Sequence, residues 1–225
     1  MKILIYILFP FFFLVASSAV YGKTIGKVTL SIGEVSSRNY EGASLKIAKN
    51  TPVIEGQLII LGRGAGVELN LNDGTFIWIY GPARLTVESC RVEEEDPPTR
   101  VRVTYGKIKV ASKSVDNTLS LQIITPSAEI SAVMSELYSV VSRNETAVAV
   151  YKYKAAVASS KQEIKEAYIV YPGEESRVFT GRPPAPPVSL SSDELDQWLD
   201  SITLSPDKRE ILLKGDKISD GESGQ

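Results

Sequence analysis

The segment Val67-Glu68-Leu69-Asn70-Leu71-Asn72 alternates apolar and polar residues without a break. In a strand this places Val67, Leu69 and Leu71 on one face, whereas a helix would scatter them around its axis. Asp73-Gly74 follows and supplies the positive-φ turn of a tight hairpin. The return strand is Thr75-Phe76-Ile77-Trp78-Ile79-Tyr80, expected to stop at Gly81-Pro82, where proline removes a ladder donor. The same period recurs in Val101–Tyr105, Ile108–Val110, Leu119–Ile123 and Val148–Tyr153. Many short strands separated by turn signals predict an all-β domain.

Glycine precedes a strand residue at Gly26, Gly33, Gly56, Gly66 and Gly106, at spacings too irregular for a solenoid repeat, so these positions are expected at bends or bulges. Glu88–Pro98 is acidic and ends in two prolines, which predicts a solvated loop. Residues 183–190 hold Pro183-Pro184-Ala185-Pro186-Pro187 and read as an extended linker closing a β domain over 23–182. Ser191-Ser192-Asp193-Glu194 can cap a helix in which Leu195, Trp198, Leu199 and Ile202 share one face, within a helical segment over 191–213. The stretch 214–225 is polar and reads as a disordered tail.

At the N-terminus, Lys2 precedes the apolar run Ile3–Val15 and the small residues Ala16-Ser17-Ser18-Ala19. This is the layout of a secretory signal peptide over 1–22, with cleavage expected after Ala19 or Gly22. An uncleaved membrane anchor is the alternative, because Ile3 to Val20 just reaches spanning length. A periplasmic or secreted protein is expected. The chain has 25 Lys and Arg against 27 Asp and Glu, with no basic block, so the footprint of a nucleic-acid binder is missing. It has no histidine and a single cysteine, Cys90. Ser-His-Asp and Cys-His nucleophilic sites and the usual zinc sites therefore cannot be built. No enzyme activity, cofactor or metal is expected.

The ordered motifs resemble the FecR domain family. The matching pieces are Gly26-Lys27-Val28, Gly33-Glu34-Val35, Thr51–Leu58, Leu61-Gly62, Val67–Thr75 with Gly81-Pro82, Gly106–Val110, Thr125–Ala128 and Pro172-Gly173-Glu174. The resemblance covers about residues 26 to 180 and implies a twisted, solenoid-like or sandwich-like stack of short strands, followed here by a short C-terminal helix. It implies an exported, non-catalytic domain that binds a protein or an envelope polymer. Two positions depart from the family pattern. Val133-Met134-Ser135 stands where the family has an Arg-Gly-Thr group, and Lys152-Tyr153 where it has a Glu-Gly turn. The family's regulators also place an anti-sigma segment in the cytosol ahead of a membrane span. Here only Met1 and Lys2 precede the apolar run, so direct control of a sigma factor is not expected.

Asp73 could in principle serve as half of a catalytic carboxylate pair, but Asp-Gly is first a hairpin signal. Glu93-Glu94-Glu95-Asp96 lacks the interleaved Gly and Asn of a calcium loop and reads as a solvated face. Cys90 reads as an inert buried thiol, an intermolecular disulfide being the alternative. The candidate partner surface is the stripe Phe76, Trp78 and Tyr80, which alternates with the inward Ile77 and Ile79. Either the helix around Trp198 or another element covers it, or it is exposed and binds sugar rings or a protein. Tyr151 and Tyr153 are expected to share a face in the same way. Two function classes follow: an interaction or signalling-related module binding an envelope protein, and a peptidoglycan- or other glycan-binding module using the aromatic face.

Overall fold

The computed structural model describes residues 22–38, 42, 44–113 and 120–202. The signal peptide expected over 1–22, apart from Gly22, lies outside the described residues, as does the tail expected over 214–225. Among the described residues no helix is long and apolar enough to cross a membrane.

The domain is all-β: among the described residues, sixteen strands form one hydrogen-bonded network and one short helix follows them. The first strands are β1 (Thr24–Ile32), β2 (Val35–Arg38), β3 (Ser44–Lys46), β4 (Pro52–Ile54), β5 (Leu58–Leu61) and β6 (Gly66–Leu71). Two 14-residue strands follow, β7 (Phe76–Ser89) and β8 (Thr99–Ser112). The remainder are β9 (Leu121–Ile124), β10 (Ala128–Ala132), β11 (Ser135–Val141), β12 (Glu145–Tyr153), β13 (Ala155–Ser159), β14 (Ala167–Val170), β15 (Glu174–Phe179) and β16 (Val188–Ser189), followed by α1 (Ser192–Ile202).

β7 and β8 hold the architecture together because each serves two layers. Their halves Phe76–Tyr80 and Lys107–Ala111 carry β6, β1 and β4 on one side and β11, β12, β15 and β16 on the other. Their other halves, Ala83–Ser89 and Thr99–Tyr105, carry β5, β2 and β3 on one side and β9, β10, β13 and β14 on the other. Among the described residues every strand pairing is antiparallel except β8 with β9. In the first layer Val28, Leu69, Ile77, Val110, Leu137 and Val150 stand in register and are buried. In the second, Val87, Val101, Ile123, Ile130 and Val157 do the same. These rows form one hydrophobic cluster between the layers, each large aliphatic side chain contributing about 1.5–3 kcal/mol by leaving water. A polar seam also joins the layers: the buried Thr146 hydroxyl lies 2.7 Å from both Thr125 Oγ1 and Ser127 Oγ.

The two predicted interruptions are bends, not ends. The strand expected to stop at Gly81-Pro82 continues to Ser89, and the segments expected as separate strands at Val101–Tyr105 and Ile108–Val110 are one strand. Proline does break the ladder locally, since the β7–β8 register lapses between Tyr80 and Arg84. Long strands that switch layers need such a corner. Gly106 makes the matching corner in β8 at φ +127°, and a Cβ there would stand 2.4 Å from the Ala83 Cβ. The backbones touch at the fold line, and no side chain fits.

Asp73-Gly74 forms the expected turn, with Gly74 at φ +80°. Residues 183–190 are extended as expected but are not a free spacer. Ala185 donates from its N–H to the Arg177 carbonyl (2.8 Å) and accepts from the Ser176 hydroxyl (2.7 Å), and Val188-Ser189 pairs with β15. An edge strand offers unpaired backbone groups, and a proline-rich segment can still accept hydrogen bonds from it. Ser191 caps α1 through a reciprocal box: its N–H donates to Glu194 Oε2 (2.8 Å) and its hydroxyl accepts from the Glu194 N–H (3.3 Å).

Candidate functional site

Ile77 and Ile79 enter the core, so Phe76, Trp78 and Tyr80 emerge on the opposite face of the first layer, where all three are half-buried. Registers fix their neighbours. Glu68, Trp78, Lys109, Tyr138, Ala149 and Glu175 form one row across six strands. Phe76 and Trp78 stack at 5.7 Å between ring centroids. The Lys109 ammonium lies 4.9 Å from the Trp78 ring centre and 5.3 Å from that of Tyr138, a double cation–π contact. Its charge is met by Glu136, whose Oε1 is 2.7 Å from Lys109 Nζ and whose Oε2 is 3.0 Å from Lys152 Nζ.

α1 lies against β7, β8 and β11, across this face. The Trp198 indole N–H donates to Glu175 Oε2 at 2.9 Å. Glu175 is buried, and its other oxygen accepts from Arg177, which also pairs with Glu145 at 3.1 Å. Tyr138 and Ala149 belong to the same outward row yet are fully enclosed. The acids that face α1 are therefore engaged: Glu136 between two lysines, Glu175 between an arginine and an indole.

Burial by itself pushes the Glu136 carboxyl up, but the hydrogen bonds and charges of Lys109 and Lys152 outweigh it and hold the group below its ordinary value. Burial and the neighbouring Glu136 raise the Tyr138 phenol above its usual range. A carboxylate depressed in the folded state contributes stability that is present above its unfolded pKa and lost as pH falls through the folded one. Glu136→Gln is expected to cost about 1–3 kcal/mol at neutral pH, because Lys109 loses its counter-ion on a half-buried face. The loss should shrink as pH drops below the ordinary carboxylate range of about 4.3. Urea titrations of both proteins from neutral to acidic pH check this, and a pH-independent difference would contradict it.

The remaining candidates have structural roles. Asp73 Oδ1 accepts from the Thr75 N–H (2.8 Å), and Oδ2 accepts from the hydroxyls of Thr75 (2.9 Å) and Thr99, so the carboxylate pins the hairpin to the start of β8. In the acidic loop, Asp96 accepts from the N–H groups of Val92 and Glu93, 3.1 Å each, closing a turn. Among the described residues no group of three or more acids and cysteine gathers as metal ligands. Cys90 is buried, and burial followed by the nearby Asp73 charge pushes its thiol up, away from the reactive thiolate.

Tyr151 and Tyr153 do not share a site. The β11–β12 register skips Tyr151, a bulge that turns it edge-on to Tyr138 at 6.2 Å. Tyr153 lies at the end of β12 and is exposed. Sequence reading found the stripe but missed Lys109, Glu136, Tyr138 and Glu175. Each looks like an ordinary outward residue of an alternating strand, and only cross-strand register brings them together.

No protein-family model and no curated protein matches the chain. Its fold is similar to that in two crystal structures of a candidate anti-sigma factor from Parabacteroides distasonis ATCC 8503, with TM-scores of 0.52 and 0.51 at 14% identity. The likeness covers 63% of this chain, and 63% and 64% of those chains. The similarity is one of fold, and this chain spans under two thirds of each neighbour's length.

Proposed function

We propose that this protein is an exported, FecR-like, signalling-related module of the bacterial cell envelope that works by binding another envelope protein and carries out no catalysis. The observation that carries the reading is the likeness of its fold to the candidate anti-sigma factor structures. The ordered motifs from Gly26 to Glu174 point the same way. The site's chemistry agrees with a recognition role, since its carboxylates are held in ion pairs and its aromatic rings are packed. A protein partner is favoured over a glycan because α1 lies across the stripe, leaving Phe76, Trp78 and Tyr80 half-buried where a sugar-stacking platform needs open ring faces.

The test is capture of partners by the tagged protein from envelope extract, before and after muramidase digestion. The expected result is the same protein partner, in the same amount, from both extracts, with the tagged chain recovered from the periplasmic fraction. Loss of all capture after digestion would favour the glycan reading and make Phe76, Trp78 and Tyr80 the binding residues.

A further inference from the structure

Away from α1, three successive connections cross between the layers side by side: Val133-Met134 after β10, Lys154 after β12 and Tyr171 after β14. They border a groove of about 670 Å³, within the range of small-molecule sites. Its floor is the in-register row Ser131, Ala156 and Ile169. Tyr153 and Tyr171 stand beside it with 55% and 53% of their surface exposed, and Ile169 with 44%.

The backbone at Tyr153 is strained, because φ is +64° in a residue that is not glycine. Such strain is found preferentially where a side chain has a task. Among the described residues the lining contains no Asp, Glu, Asn, Gln or Arg, so it lacks the bidentate polar groups that would read a sugar. Met134 supplies an adaptable apolar wall suited to a flexible chain. Among the described residues the one charged lining residue is Lys154, whose ammonium has no ion-pair partner there, unlike Lys152 two residues before it. The geometry points to a binding site for a monoacyl anion: an alkyl chain lies between Met134, Ile169 and the two tyrosine rings, and its anionic head group meets Lys154.

The test is titration calorimetry of the purified chain with dodecanoate below its micelle concentration, at low ionic strength. Dodecyltrimethylammonium and dodecyl maltoside serve as head-group controls, and vesicles of anionic lipid as the membrane control. Saturable one-to-one binding of dodecanoate is expected, with the cationic amphiphile roughly tenfold weaker or more. Met134→Asp and Ile169→Asp, both at the surface of the groove, should each weaken binding by about tenfold or more at an unchanged melting temperature. If one of them fails to fold, the other carries the comparison. Lys154→Glu should abolish the preference for the anion while leaving dodecyl maltoside binding intact. Tyr153→Gly should hold or raise the melting temperature and still weaken binding. The proposal is overturned by absence of saturable binding, by indifference to the groove substitutions or to head-group charge, or by binding to vesicles alone.

Discussion

Gly106→Val is expected to destabilise the protein by about 3–5 kcal/mol, more than any surface substitution. Two costs add at this position. The backbone sits at φ +127°, where a β-branched residue is strained, and the new Cβ would meet the Ala83 Cβ at 2.4 Å and its Cα at 2.9 Å. Ala83 cannot withdraw, because it is paired with Leu61 of β5 and fully buried. Gly173→Ala is the control: φ is +79° there, but nothing lies within 4 Å of the added methyl, so only the backbone cost of about 1 kcal/mol remains. Urea denaturation of the two variants reads the difference. Equal and small losses would show that the corner in β8 is not closely packed.

Truncation after Leu190, which removes α1 and everything beyond it, is expected to cost about 3 kcal/mol, or roughly 6–12 °C in melting temperature. The loss comes from uncovering Tyr138 and the stripe and from leaving the buried Glu175 carboxylate without the Trp198 indole. Trp78 would then be the only tryptophan in the chain, and its fluorescence emission should shift to the red as its ring meets water. Trp198→Ala should reproduce part of the loss, about 1–3 kcal/mol, through the unsatisfied carboxylate. An unchanged melting temperature with unchanged emission would mean that α1 does not cover the face in solution, and the stripe would return as an open binding surface.

Of the two departures from the FecR-like pattern, Val133-Met134-Ser135 and Lys152-Tyr153, each puts part of itself on the groove that Lys154 borders: Val133 and Met134 from the first, Tyr153 from the second. Each was visible in the sequence as a missing motif, but seventeen residues of chain lie between Met134 and Lys152. Their meeting depends on β10 pairing with β13 and β11 with β12. The same dependence hid the ion pairs under α1, because Lys109, Glu136 and Glu175 come from β8, β11 and β15, which share a layer although β9, β10, β13 and β14 of the other layer intervene in the chain.

What the sequence by itself determined was local and periodic. The alternation in β6 and β7, the Asp73-Gly74 turn, the capping box at Ser191 and the outward placing of Phe76, Trp78 and Tyr80 follow from rules that act within a few residues. Only the tertiary structure decided what lay between distant residues. It turned Gly81-Pro82 and Gly106 from strand ends into corners, laid the proline-rich segment along β15, and sent Tyr151 and Tyr153 to different places through one bulge. The physical reason is that strand register is set by hydrogen bonds and packing between segments far apart in the chain, and a shift of one residue moves every side chain to the other face.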